Sequence, residues 1–324
     1  MSSFRIAVIG ADRLDPDHHL AINDLSERGL LSAFALDASE SSAGFSTLDA
    51  AMESNALDAI FIAGARADLP AWSVFALEKG WPVYSTHAVP ASIEDMIEIR
   101  RAEHAGAGGM IQFGLTARHH DSVQAAVAKS QSGEYGRLLT LRGVCGCHGF
   151  ALDDSVVFDP GPQLIDIMHL FAGPFQDVAG FSDLDRAPEP GGETNVFASL
   201  RTHAGILGNV HISASQWRPT FRLELGFERG YMWLEGLNSE RHEFGQELLV
   251  YARTDGLQMK HETVDRFDES NGTKRALETF IARVKDRSVP AIGTSQDAFD
   301  ALNTIQRVLA ADPVFALLEE RHAS

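Results

Sequence analysis

Cysteine is nearly absent from this chain: 324 residues hold only Cys145 and Cys147, one residue apart in GVCGCHG, which rules out a disulfide framework. With His148 they put three candidate ligands in four residues, but no second cluster stands at zinc spacing, so a strand with two reduced thiols in a reducing compartment is the better reading and no metal is expected. Basic residues are also scarce. Against 45 Asp and Glu there are 27 Lys and Arg, a net charge of -18, and a field of that sign repels nucleic acid and anionic membranes. No run approaches the roughly 20 apolar residues of a membrane span. No charged-then-apolar leader follows MSSFR, so a soluble cytoplasmic protein is expected. There is no Gly-x-Ser-x-Gly elbow, no P-loop, no cysteine nucleophile beside a base, no internal repeat and no low-complexity segment.

What remains is a globular composition, 44% hydrophobic and 22% charged, in a chain longer than one core usually supports. Two domains are expected. From Phe4 the chain alternates apolar runs and helical patterns: FRIAVIG, a helix ending near Gly29, LLSAFALD ending at Asp37, LDAIFIA, the helix PAWSVFALEKG, WPVYST, a helix from Ile93, then GMIQFGL. Alternation of this kind predicts βαβ units and a parallel, doubly wound sheet, the dinucleotide-binding architecture, over residues 1–120.

Beyond Tyr135 strand-like runs follow one another (RLLTLRGVCG, TNVFASLRT, GILGNVHISASQW, FRLELGFERGYMWLEGL, ELLVYART), which predicts a mostly antiparallel sheet with helices in residues 121–324. Two closing helices are expected, TKRALETFIARVKDR and TSQDAFDALNTIQRVLAADPVFALLEE. One helix interrupts the strands, in FDPGPQLIDIMHLFAGPF from Phe158 to Phe175. Asp159 is a good N-cap, Pro160 fits the first turn, Leu164, Ile167, Met168 and Phe171 recur at helical spacing, and Gly173 closes the helix. Asp159, Gln163 and Asp166 then share one face.

This segment resembles the substrate-domain helix of the glucose-fructose oxidoreductase, inositol dehydrogenase and MocA family, D-x-G-x-H-x-x-D followed by an apolar run and glycine. Asp159, Gly161, Asp166 and LFAG fall in register, while Gln163 stands where the family has its histidine. SGEYGRLLTLRGV and SASQWRPTFRLELGFERGYMWLEG are similar to further family landmarks, the latter to a subgroup associated with sugar modification for surface glycans. The resemblance spans nearly the whole chain. It implies a Rossmann half and a sheet-plus-helix half, NAD or NADP as cofactor, a sugar or nucleotide-sugar as substrate, and a homo-oligomer, dimer or tetramer, formed through an open sheet face.

It also implies where the chemistry lies. A G-x-G-x-x-G cradle should follow the first strand, but the chain reads Gly10, Ala11, Asp12, Arg13, Leu14, Asp15. At about 5 Å and an effective dielectric near 20, each carboxylate–phosphate pair costs on the order of 3 kcal/mol, about a hundredfold in affinity, which Arg13 would partly offset. Asp37 holds the place of an acid that binds ribose hydroxyls, equally readable as a turn aspartate. In the E-K-P turn that carries the family's lysine, Thr86, His87 and Ala88 align, so His87 replaces the lysine as candidate acid/base. The turn after the third strand begins at Gly64 and lacks the family's T-P-P-x-x-H. The loop between Cys147 and Asp159 looks about ten residues shorter than in the subgroup. Trp217 and Arg218 are either a grip on a sugar or phosphate or a strand-end aromatic packed on its sheet. His119 and His120 diverge as neighbours and read as a polar helix start. Two functions remain open: an oxidoreductase in which Asp159 orients the substrate and Gln163 bonds the reacting oxygen, or a pseudo-oxidoreductase that binds a sugar or a partner subunit without turnover.

Overall fold

The computed structural model describes residues 3–36, 48–50, 52–53, 57–105, 108–148, 155–183, 194–237, 239, 244–255, 258–259 and 261–313. The chain divides into two compact units, Met1–Thr116 with Thr273–Phe299, and Ala117–Gly272 with Asp300–Ser324.

In the first unit five strands, β1 (Phe4–Ile9), β2 (Leu31–Leu36), β3 (Ala59–Ile62), β4 (Pro82–Ser85) and β5 (Met110–Gln112), form a parallel sheet in the order β2-β1-β3-β4-β5. Helices α1 (Pro16–Glu27), α2 (Leu69–Glu78) and α3 (Ile93–Ala105) connect them. All four residues of β3 are buried, as in a parallel sheet covered on both faces. Ile6 of β1 registers with Ala33 on one side and Ala59 on the other. The strand order therefore reverses beside β1, and the crest of β1 and β3 is the position where such sheets bind ligands.

The second unit opens with α4 (Asp121–Gln131). Its sheet contains β6 (Leu138–Gly146), β7 (Phe175–Ser182), β8 (Asn195–Thr202), β9 (Leu207–Ser213), β10 (Thr220–Phe227), β11 (Gly230–Glu235), β12 (Leu248–Asp255), β13 (Gln258–Met259) and β14 (Thr263–Arg266). The order is β13-β12-β11-β10-β6-β9-β8-β7, with β14 also on β12; among the described residues of this sheet only β6 and β9 pair in parallel. Alternation along β10 buries Phe221, Leu223, Leu225 and Phe227 and turns Arg222 and Glu224 to the other face. Helix α5 (Gly161–Ala172) lies close to β6 because Gly143 has no side chain: a Cβ there would fall 2.9 Å from Leu164.

Helix α6 (Gly272–Lys285) runs almost wholly within the first unit. Its Leu277, Phe280 and Ile281 find burial with Phe4, Ile6, Val8 and the inner face of α1. Phe280 meets Phe4, Phe61 and Tyr84 edge-on, with centroids 6.5, 5.7 and 5.5 Å away. Helix α7 (Ser295–Ala310) ends well before the stretch expected from sequence, part of which lies outside the described residues. In the second unit it protects the β7 edge: Arg307 donates to the carbonyls of Phe175, at 2.8 Å, and Gln176, while Asp312 accepts from Ser182 N–H at 2.7 Å.

Candidate functional site

At the crest of the first unit, β1 ends in Gly10, whose left-handed backbone (φ 73°) turns the chain off the strand. A Cβ on Gly10 would fall 2.3 Å from the Gly64 Cα, so the two crests meet backbone to backbone. Ala11–Arg13 form one 3-10 turn, closed by Arg13 N–H on Gly10 O (2.9 Å) and Leu14 N–H on Ala11 O (3.3 Å). Asp12 and Arg13 are exposed, whereas Ala11 and Leu14 pack on the core and act as scaffold. Asp37 lies outside the described residues.

Asp15, expected to place bare negative charge in the cradle, has another role. It caps α1: one carboxylate oxygen accepts from His18 N–H at 3.0 Å and the other lies 2.7 Å from His18 Nδ1. A carboxylate only accepts, so Nδ1 carries the hydrogen, and in the neutral ring Nε2 accepts from the Tyr84 hydroxyl at 3.1 Å. Burial, with the charge of Asp15 adding to it, pushes the Tyr84 phenol far above its ordinary value and keeps it a donor.

The turn carrying His87 is fixed from both sides. Thr86 N–H donates to Ile62 O and Gly114 N–H to His87 O, each at 3.0 Å. A Cβ on Gly114 would lie 2.3 Å from Thr86 O. His87 Nε2 stands 2.9 Å from Gly64 O. A carbonyl cannot donate, so Nε2 holds a hydrogen. Gly10, Gly64 and His87 are thus brought together. Asp68 adds a carboxylate here, its Oδ2 3.7 Å from where a Gly64 Cβ would be, and Arg66 donates to Val89 O at 2.6 Å.

In the second unit the start of α5 corrects the expected cap. Helix geometry begins at Gly161 and Pro160 holds the cap position without a side-chain bond, so Asp159 belongs to the preceding turn. That turn is closed by Gly161 N–H on Val156 O at 3.0 Å. Asp159 lies near the Cys145 thiol, which burial first and the charges of Asp159 and Cys147 second push well above the ordinary thiol range. Gln163 uses its Oε1 to accept from Ala117 N–H at 3.0 Å. Asp166 is not presented to a ligand: it is 1% exposed and takes Arg118 in a two-pronged pair, with Nε to Oδ2 at 2.7 Å. Trp217 is 82% exposed and stacked on His148 with centroids 3.8 Å apart; it stands out from the sheet, and Arg218 beside it is exposed. Among the described residues no group of three His, Cys, Asp or Glu could hold a metal ion.

No protein-family model matches the chain. Among curated proteins it is 27% identical over 233 residues to an inositol 2-dehydrogenase from Leifsonia xyli subsp. xyli, an alignment covering 65% of this chain and 66% of that relative, just under two thirds of its length. Among solved structures it is similar to a 3-ketoreductase from Actinomadura kijaniata in complex with TDP-benzene and NADP (TM-score 0.74, 16% identity, 96% of this chain and 98% of that one). A UDP-N-acetylglucosamine 3-dehydrogenase from Acidithiobacillus ferrooxidans is similar to the same degree (TM-score 0.73, 16% identity, 97% and 99% of the chains). The chain thus shares the two-part fold of these oxidoreductases and is similar in sequence to an inositol 2-dehydrogenase.

The residues that the resemblance aligns with the family's lysine, histidine and two cradle glycines, namely His87, Gln163, Asp12 and Asp15, all stand at described positions. The sequence did not point to His18 and Tyr84, whose link spans 66 residues, or to Arg118, hidden beside two histidines. His120 also differs from a polar helix start: it is buried, with Nδ1 2.7 Å from Glu247 Oε2.

Proposed function

We propose that this chain is an NAD(P)-linked oxidoreductase interconverting a hydroxyl and a carbonyl on a sugar or nucleotide-sugar. The observation that carries the reading is the crest of the first unit, where the Gly10 backbone touches Gly64 and His87 is anchored to the Gly64 carbonyl at 2.9 Å. The names of the relatives, a 3-ketoreductase and two dehydrogenases, support the same class.

A dinucleotide fits the floor of this crest, which any side chain at Gly10 would fill, and Arg13 on the exposed turn would face its phosphates. A bound nicotinamide would exchange a hydride with the carbinol carbon. His87 would take the hydroxyl proton during oxidation and return it during reduction. As a neutral ring it stabilises a developing alkoxide less than a lysine would. Within the second unit, the family resemblance assigns Gln163 and Asp159 to sugar hydroxyls, and Trp217 with Arg218 to stacking on and gripping a sugar or its phosphate.

The test follows nicotinamide absorbance with NAD and NADP over a panel of sugars and nucleotide-sugars. His87→Gln is expected to lower kcat by about a hundredfold or more. An unchanged kcat would remove His87 from the reaction.

A second reading, a pseudo-oxidoreductase that binds a sugar or a partner subunit without turnover, is favoured by Asp15 covering the N-terminus of α1. Installing His87→Lys together with Gln163→His separates the two. Regained sugar oxidation would mean that only the acid/base groups were lost. A protein that stays inactive and binds no dinucleotide would mean that the cradle itself has closed.

A further inference from the structure

A glycine-rich cradle leaves the first N–H groups of the following helix to a ligand's phosphates. Helix α1 does not. Its first residue, Pro16, has no N–H, and the N–H of His18 is taken by the Asp15 carboxylate at 3.0 Å. The positive end of the helix dipole, where a phosphate would sit, is occupied by an anion of the chain itself.

That anion is held firmly. Tyr84 O–H bonds His18 Nε2 at 3.1 Å and His18 Nδ1–H bonds Asp15 at 2.7 Å. His18 is 4% exposed and Tyr84 fully buried, their rings edge-on with centroids 5.7 Å apart. The chain of bonds runs from β4, the strand that leads to His87, to the loop that leaves β1.

We infer that Asp15 is a built-in competitor for the phosphates of the dinucleotide and sets the affinity of this site, with His18 as the positioning residue that keeps it on α1. The inference rests on the dinucleotide reading above. An incoming pyrophosphate must displace the carboxylate from the His18 N–H or bind beside it, and a like-charge contact at such range weakens binding by about a hundredfold. A ligand without phosphate is indifferent to it.

The test titrates the full chain with NADH, read by nicotinamide fluorescence, and with adenosine, read by calorimetry. The proteins are wild type, Asp15→Asn, Asp15→Ser, His18→Phe and the Asp15→Asn/His18→Phe double variant, each shown folded by its thermal melt. Asn and Ser both cap helices without charge, so one remains if the other fails to fold. The expected result is NADH binding at least about tenfold tighter in the Asp15 variants, with adenosine unchanged. His18→Phe should tighten NADH binding when Asp15 is present, because the carboxylate is then held less firmly, and change nothing further in the double variant relative to Asp15→Asn, a coupling that a merely structural role would not give. If wild type binds NADH and the folded Asp15 variants bind no tighter, the inference is overturned while the dinucleotide reading stands. If only the Asp15 variants bind, the inference holds and the native chain works without dinucleotide. If none binds at millimolar NADH, both fall.

Discussion

Arg118 and Asp166 are 6% and 2% exposed at their side chains, and each makes the other tolerable in the interior. Removing Asp166 would leave a guanidinium buried without its carboxylate. Asp166→Ala is therefore expected to lower stability by about 3–5 kcal/mol in urea unfolding, and a loss under about 1 kcal/mol would contradict the account. Glu247, fully buried, gives a second prediction. Burial alone would raise its carboxyl, but the hydrogen bond and charge of His120 and the bonds from Ser122 outweigh burial and hold it below the ordinary glutamate value of 4.5. A lowered folded pKa contributes stability above that value, lost as the pH falls through the folded value. Glu247→Gln should thus be less stable than wild type at pH 7, with the gap narrowing below about 4.5; a constant gap would refute it. At this scale the sequence was least legible. Asp166 fell in register with a ligand-facing pattern, and nothing local showed a partner 48 residues away.

At the scale of the element, the crest of β1 depends on one glycine. Gly10→Ala combines a left-handed backbone, costing roughly 1–2 kcal/mol for a residue with a Cβ, with a clash 2.3 Å from Gly64. Calorimetric melting should show a clear loss of stability together with loss of any dinucleotide binding; a variant that melts and binds like wild type would contradict the backbone contact. Helices and strands themselves were legible because their signals are local. The stop of α1 at Gly29 (φ 68°) and of α2 at Gly80 (φ 78°) stands in the chain as a glycine. The start of α5 was misread because its cap signals are ambiguous: both Asp159-Pro160 and Gly161-Pro162 suit a first turn, and the Val156 carbonyl decides between them. Asp15 was read as charge rather than as a cap for a related reason. A glycine motif draws attention to what is missing, whereas the bond from His18 gives the replacement its task.

For the whole molecule, the two architectures were visible in the spacing of apolar residues, since a parallel sheet needs alternating helices and an open antiparallel sheet needs alternating sides. The return of α6 to the first unit was not, because its apolar stripe fits any sheet face of similar shape. The open face of the second sheet leaves Phe181, Phe197 and Leu207 exposed at 68%, 50% and 55%, beside ion pairs such as Arg142–Glu224 at 2.6 Å. A second copy of the chain on this face is the proposed cover, as part of a dimer or tetramer. Light scattering should then give a dimer or tetramer mass, and a concentration-independent monomer of 35.2 kDa would refute it. Among the described residues no helix is long and apolar enough to cross a membrane. The central claim, a dinucleotide-dependent chemistry at the Gly10–Gly64–His87 crest, is tested most directly by calorimetric titration of the wild-type chain with NADH and NADPH. One dinucleotide per chain should bind saturably below millimolar concentration; no heat up to millimolar from either nucleotide would rule that chemistry out.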